Sequence, residues 1–571
     1  MKKFGSKVLQ RLRKKSNLTL AIFFVGIIFV LLTNAFHESY PDEFDNILGG
    51  WYTLHGKVIY KDWFTHHNPM AYWLSSFIEL FSGQSFVRFR VMYALLLSAY
   101  FGGVFFYFRK QFEERVSLVV ISFFSVIAVA STYFWGQMLL ADNLSALLFA
   151  PVFMLLAFKT LYKIPLVKSD FIFISIATFV GIFSSLTYAF LLVIIYLYTA
   201  YMYIKENNFK VTKKVFTPII IFATPYILLG IYFIVTGSLG DYIYQAVVFN
   251  GKYYVYNYPG HQEGVGFVNP VRYALVIFYN FFISYTVLLN QAFTFNFSFP
   301  LNITLALANL IAIIYFVLRR KFSLALFLFF YIVYANVRSN PLDSKETDYQ
   351  SAVYLVVSLF NVVFMLSELY TFLTRKVFDV RKIIVAACFF ILAVYSFFSA
   401  TFLLRSYGQK MYDKFMGFAP LIYDRPKLAP ILNSITTSDE YVWIGPFEFE
   451  ELFYTNRPVP SSFHILIPGV GINNDTEKKM VEDFKNNPPV VMYYDRNFFI
   501  LGRSPAMYAE KFNKFVDTEY VNIADLQVYE AKNVSDNYNL QTNLYIRKDK
   551  VDEIIPRLES SGYITVKQTE Q

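Results

Sequence analysis

Residues 18–45 read LTLAIFFVGIIFVLLTNAFHESYPDEFD. The run from Leu18 to Phe36 is apolar and of the length, about 20 residues, that crosses a bilayer as a helix. It gives way at once to Glu38, Asp42, Glu43 and Asp45. Carboxylates beside hydrocarbon are costly to hold, so a cluster of them at a membrane surface asks for a function. Upstream lie Lys2, Lys3, Lys7, Arg11, Arg13, Lys14 and Lys15, which mark that side as cytoplasmic. The apolar run is too long for a signal-peptide core, and Thr33-Asn34-Ala35-Phe36 is a poor cleavage site. The segment therefore reads as a retained anchor.

The rest of the 571-residue chain agrees: it is 56% hydrophobic and only 16% charged, where soluble proteins carry about 25%. The mean hydropathy is +0.41. Its 65 Phe and 45 Tyr suit lipid-facing and interfacial positions. Cys388, the one cysteine, excludes an intrachain disulfide and a thiolate metal site, and reads as a small buried hydrophobe. A net charge of +10 would suggest nucleic acid in a soluble protein, but here the basic residues gather in short loops between spans. No nucleic-acid partner is expected.

Hydropathy places spans near 18–36, 87–108, 116–134, 142–160, 170–187, 189–204, 215–235, 301–318, 322–337, 350–372 and 383–404. Loops at Arg109-Lys110, Lys163 to Lys168, Lys205 to Lys214, Arg319-Arg320-Lys321 and Arg375 to Lys382 then all fall inside. Counting Val271 to Leu289 as a crossing breaks that order twice, so it is expected to be re-entrant or interfacial. The fold expected is a polytopic α-helical membrane protein of about eleven spans, with a small extracytoplasmic α/β domain. Its parts are a cytoplasmic basic N-terminus at 1–17, a membrane domain at 18–404 with outer loops 37–86 and 236–300, a linker at 405–426, and the α/β domain at 427–571. Strands are expected at Glu440–Ile444, Val490–Tyr494, Tyr520–Ile523 and Asn543–Ile546, with helices near 475–486 and 506–515. Asn68 to Gly83 carries Met70, Trp73, Leu74, Phe77, Ile78 and Phe81 at helical spacing, the pattern of a helix lying in the membrane interface. The chain is expected in the plasma or inner membrane.

Three groups carry candidate chemistry. Asp42 and Glu43 suit a base at a water–lipid boundary, or an acidic first turn of the helix that follows Pro41. Asp142 stands at the mouth of a span, where an acid also serves as a helix cap. Arg88, Arg90, Arg272, Arg338 and Lys345 sit on the outer side against the topological trend. They fit a lipid phosphate, or the snorkelling of long side chains. The adjacent His66 and His67 lack a spaced third metal ligand. No P-loop, dinucleotide turn or Ser-His-Asp pattern is present.

The string Asp42-Glu43, Gly50, Leu54-x-Gly56, Tyr60-x-Asp62 and His67-x-Pro69 resembles the first outer loop of the GT-C superfamily of integral-membrane glycosyltransferases. The similar branch is the bacterial one related to protein O-mannosyltransferases and the lipid A aminoarabinose transferase. Asp142, the Tyr- and Asn-rich loop from Phe249 to Tyr258, Tyr349, and Asn487-Pro488-Pro489 are weaker matches. The resemblance implies a polyprenyl-phosphate-sugar donor, an acceptor that is a glycan, lipid or protein, and inversion at the anomeric carbon. It makes Asp42, Glu43 and Asp142 the catalytic acids, Asp42 as base or acceptor-orienting group. His67, Arg88, Arg338 and Lys345 would meet the donor phosphate, and Tyr60, Asp62, His66 and Tyr349 the substrates. A lysine before paired prolines is replaced here by His67, and the first proline by Asn68. No cofactor is required, though the loop carboxylates could hold a divalent cation. A lipid or sugar transporter is the rival reading, but no repeated halves with broken helices are evident. A scaffold would leave the acids and cations unexplained.

Overall fold

The computed structural model describes residues 2–208, 216–254, 257, 269–336, 349–373, 380–419, 422–535 and 538–566. Helices in chain order are α1 (Lys2–Asn34), α2 (Pro41–Leu54), α3 (Pro69–Ser82), α4 (Phe86–Gln111), α5 (Glu114–Ala130), α6 (Ala141–Tyr162), α7 (Lys168–Ile182), α8 (Ala189–Glu206) and α9 (Phe216–Val235). A short α10 (Leu239–Tyr242) and a wide-turned helix at Ile243–Tyr254 precede α11 (Pro270–Phe293), α12 (Pro300–Leu318), α13 (Phe322–Ala335), α14 (Ala352–Leu373) and α15 (Val380–Phe415). The chain forms two compact units. The first holds Met1–Ser39, Phe86–Leu228 and Ala274–Ile422, the second Tyr40–Ser85, Leu229–Tyr273 and Tyr423–Gln571.

Among the described residues, nine helices are long and apolar enough to cross a membrane, so the chain is a multi-pass helical membrane protein. Large apolar side chains such as Ile22, Phe29, Leu197 and Phe390 stand more than 60% exposed on the first unit, as lipid-facing residues do. Three expected spans, α5, α7 and α13, are helices of 17, 15 and 14 residues, shorter than an unaided crossing. Conversely, α11 has 24 residues and reaches the length of a crossing that the charge pattern argued against. The helix α15 runs on to Phe415, through half of the expected linker, because residues 405–415 hold no proline to stop it.

Helix α6 lies at the centre of the first unit, with 83% of its apolar window buried. Between α12 and α14 a polar ladder replaces apolar contact: Asn309 Nδ2 donates to Ser358 Oγ at 2.8 Å, and Asn361 Nδ2 to Asn309 Oδ1 at 2.7 Å. The ends of the helices sort into two groups. Arg109 Nη2 on Asn17 Oδ1 (3.1 Å), Lys321 Nζ on the Thr160 carbonyl (2.7 Å) and the Arg115–Glu368 pair gather the basic loops at one end. Asn34 Nδ2 on the Ala128 carbonyl (2.9 Å), Ser145 Oγ on the Gly181 carbonyl (2.8 Å) and Trp135 stacked on Tyr349 at 5.6 Å gather the opposite ends. Helix α11 meets its neighbours near that second end. Phe281 lies 6.4 Å from Tyr354 at the start of α14, and the Tyr285 hydroxyl donates to Ala306 near the start of α12.

The second unit is built on a sheet of β1 (Val442–Gly445), β2 (Val491–Tyr494), β3 (Tyr520–Asn522) and, after three short strands β4 (Tyr529–Ala531), β5 (Asn533–Ser535) and β6 (Tyr538–Asn539), β7 (Leu544–Arg547). The order is β1-β2-β7-β3, with β1 parallel to β2 and both remaining pairs antiparallel. Each expected strand is found within two residues, and β1 and β2 are buried along their whole length, as continuous apolar runs require. The first outer loop belongs to this unit rather than to the membrane bundle: the Phe64 amide donates to the Ser462 carbonyl at 2.9 Å.

Candidate functional site

Helix α2 starts at Pro41, whose fixed φ and missing N–H suit a first helical position. Tyr40 before it is extended and supplies no side-chain cap, so Asp42 and Glu43 in the first turn complement the helix dipole. Asp42 is half-buried and Glu43 fully buried. Farther along α2, Gly49 and Gly50 let α3 approach. A Cβ on Gly50 would lie 2.6 Å from Ser75 Cβ and 2.7 Å from the Ser76 backbone nitrogen, and one on Gly49 would run into the Tyr72 ring.

That approach builds a polar centre around Asp45, one turn beyond Asp42. The Tyr72 hydroxyl donates to Asp45 Oδ2 at 2.7 Å, and Thr65 Oγ1 lies 2.7 Å from the same hydroxyl. His67 Nδ1 stands 3.6 Å from Asp45 Oδ2, and His464 Nε2 3.6 Å from Oδ1. Burial raises the Asp45 carboxyl, but the His464 hydrogen bond and the charges of His67 and His464 outweigh it and hold the group below its ordinary value. Asp45 is thus an anion fixed between two imidazoles. His67 Nε2 in turn lies 2.9 Å from His66 Nε2, so one of the two rings carries the shared proton. The His66 ring packs on Tyr254 at 4.2 Å, and Asn250 Nδ2 donates to the His66 carbonyl at 2.6 Å.

Two expected substrate contacts hold the loop itself. The Tyr60 hydroxyl donates to the His67 carbonyl at 2.9 Å, and Asp62 Oδ2 accepts from the Val58 amide at 2.7 Å. Gln245 ties the loop to the Ile243–Tyr254 helix, donating to the Tyr60 carbonyl at 2.6 Å and accepting from the Thr65 amide at 3.0 Å. His67, expected to meet a phosphate, turns Nδ1 toward a carboxylate instead.

The second unit therefore collects Asp42, Glu43, Tyr60, Asp62, His66 and His67, while Asp142, Arg88, Arg90 and Tyr349 belong to the first. There Asp142 is fully buried at the start of α6, next to Asn143, whose Nδ2 donates to the Trp135 carbonyl at 2.7 Å. Trp135 stacks on Tyr349, so these two expected sites share one neighbour. Arg88 is exposed. Arg338 and Lys345 lie outside the described residues. Sequence reading missed Asp45, Tyr72, Gln245 and His464 as members of the site. Only the three-residue step from Asp42 to Asp45, which puts both on one helix face, was there to signal it. Among the described residues, no three His, Cys, Asp or Glu side chains converge to hold a metal ion. No protein-family model matches the chain, and no curated protein matches it in sequence.

Proposed function

We propose that the chain is a membrane glycosyltransferase of GT-C type that moves a sugar from a polyprenyl-phosphate donor to an acceptor at the outer face of the membrane. The observation that carries this reading is the placement of Asp42. It is a half-buried carboxylate in the first turn of α2, in the same unit as the His66–His67 pair and the Asp45 anion. Partial burial suits a carboxylate to take a proton. In the transfer the acceptor oxygen bonds to the anomeric carbon and its proton passes to Asp42. The bond from that carbon to the phosphate oxygen breaks, leaving its electron pair on the phosphate. Cations near that oxygen favour the step because they balance the charge that grows there.

The helix ends support a topology of alternating crossings by α1, α4 to α9 and α12 to α15, with α11 near the non-basic end. The N-terminus is then cytoplasmic, and the second unit, with its sheet, is extracytoplasmic. The test uses purified protein, a panel of polyprenyl-phosphate sugars and free polyprenyl phosphate as the product read. Asp42→Asn is expected to abolish release while the protein still expresses and folds. Unchanged turnover removes Asp42 from the mechanism.

A further inference from the structure

The sheet of the second unit carries a polar cleft at one edge. Strand β2 ends at Tyr494, and Asp495, Arg496 and Asn497 follow it directly. Strand β7 runs antiparallel and starts opposite Tyr493, so Thr542 and Asn543, just before it, reach the same edge. These five residues and Tyr545 line a cleft of about 350 Å³. The edge is also the carboxyl end of the parallel pair β1 and β2, where open α/β sheets take their ligands. Small-ligand sites run from about 300 to 1,000 Å³, so the cleft suits a molecule of one or two rings.

Its walls are held in place. Asp495 Oδ1 accepts from the Asn497 backbone amide at 2.9 Å, which fixes the turn after β2. Asn543 Nδ2 donates to the Tyr493 hydroxyl at 3.1 Å. The Arg496 guanidinium pairs with Asp517 Oδ1 at 2.5 Å and lies over the rings of Tyr545 and Tyr494, at 5.2 and 5.8 Å. Much hydrogen-bonding capacity is still unused. Among the described residues, Asp495 Oδ2, Asn543 Oδ1, the Thr542 hydroxyl and the Asn497 side-chain amide make no hydrogen bond to the protein. Groups already fixed lose little entropy when a ligand takes the place of water.

The kinds of groups narrow the ligand. The one cation in the lining is matched by Asp517, and Asp495 stands in the same wall, which disfavours an anion. A single carboxylate lines the cleft, too few for a metal ion. A planar base lacks a platform, because Tyr545 is 9% exposed with Arg496 over its ring. None of the six side chains is aliphatic, so a hydrocarbon gains little. The remaining match is a neutral molecule dense in groups that both donate and accept. Sugar hydroxyls do both, as do amide and hydroxyl side chains, while the carboxylate accepts and the guanidinium donates. Planar carboxylate, amide and guanidinium groups can also meet two adjacent hydroxyls at once.

We propose that the cleft between Asp495–Asn497 and Thr542–Asn543 is a binding site for an uncharged carbohydrate. The site stands whether or not the chain transfers sugar.

The test uses the full chain in nanodiscs, since sugar-headed detergents would compete. Saturation-transfer NMR reads the binding of maltose, cellobiose, mannobiose and chitobiose, and of glucose beside its phosphate monoester. Asn497→Ala/Thr542→Val removes two groups that make no side-chain hydrogen bond within the chain, and circular dichroism checks the fold. It is expected to weaken binding of the preferred disaccharide about tenfold. Thr542→Trp fills the cleft from an exposed position and is expected to abolish binding. Asp42→Asn is expected to leave binding intact, which separates this site from the transfer chemistry proposed for α2. Binding unchanged in both cleft variants overturns the site, whatever Asp42→Asn does. So does the absence of transfer to every sugar at about 10 mM. A phosphate monoester that binds where glucose does not overturns the uncharged assignment.

Discussion

Replacing Glu79 by glutamine should make the protein more stable at neutral pH and leave it unchanged in acid. Glu79 lies on the face of α3 that packs against α2, 1% exposed. Ser75 Oγ reaches its Oε1 at 3.3 Å, and no ion pair or partner for Oε2 is found among the described residues. Burial pushes its carboxyl from 4.5 up to about 9, against a small opposing effect of Ser75. The folded protein thus keeps Glu79 protonated at pH 7, whereas the unfolded chain ionises it above about 4.5. A group with a raised folded pKa contributes fully below its unfolded pKa, and that contribution is lost as pH rises through the folded one. By pH 7 the loss amounts to about 3 kcal/mol, at roughly 1.4 kcal/mol per pH unit. Glutamine has the same shape and no proton to lose, so it escapes this cost. Thermal unfolding in detergent can be followed through Trp63 and Trp73, which pack beside α2 and on α3. Glu79→Gln should match wild type at about pH 5 and exceed it by several degrees at about pH 8. A midpoint difference that does not vary with pH, or a variant less stable at the higher pH, would refute the reasoning.

Two further substitutions probe the same unit. Gly50→Ala would raise helix propensity by about 1 kcal/mol in an open helix. Here the added Cβ meets the Ser76 backbone at 2.7 Å, so a net destabilisation of about 1–3 kcal/mol is expected in thermal unfolding. A gain in stability would show that α2 and α3 are not in close contact. Asp45→Asn keeps the shape but removes the anion between His67 and His464, and should cost about 1–3 kcal/mol at neutral pH. Because the folded carboxyl sits below its ordinary value of 3.8, its contribution is present above that value and fades as pH falls through the folded pKa. Equal midpoints for wild type and Asp45→Asn at neutral pH would argue against an ionised Asp45.

The strands were legible because each is a short buried apolar run between turns, such as the stretch before Asp495 that follows Asn487-Pro488-Pro489. The membrane helices were legible through hydropathy. The orientation of α3 was not. Its expected apolar face divides in two: Met70 and Ile78 are buried, while Phe77 and Phe81 are 50% and 62% exposed beside Leu80. The buried side instead includes Ser75, Glu79 and Ser82, since close approach to Gly49 and Gly50 selects small residues rather than apolar ones. The helix turns polar residues inward and phenylalanines outward, the reverse of the expected division of faces. The Asp45 centre escaped the sequence for another reason. His464 comes from the far end of the chain, and no local spacing announces a pair formed by tertiary contact.

The basic end of the first unit holds its buried cations with carboxylates of the same chain. At the basic end the buried ammonium of Lys159 faces Asp170 at 2.9 Å, both at most 2% exposed, and the Tyr107 hydroxyl adds a hydrogen bond to Asp170 at 2.6 Å. Arg115 is likewise matched by Glu368, which accepts from Tyr315 at 2.6 Å. Buried charges are tolerated when each has a close counter-ion with its remaining lone pairs satisfied, and that end meets the condition from within the chain.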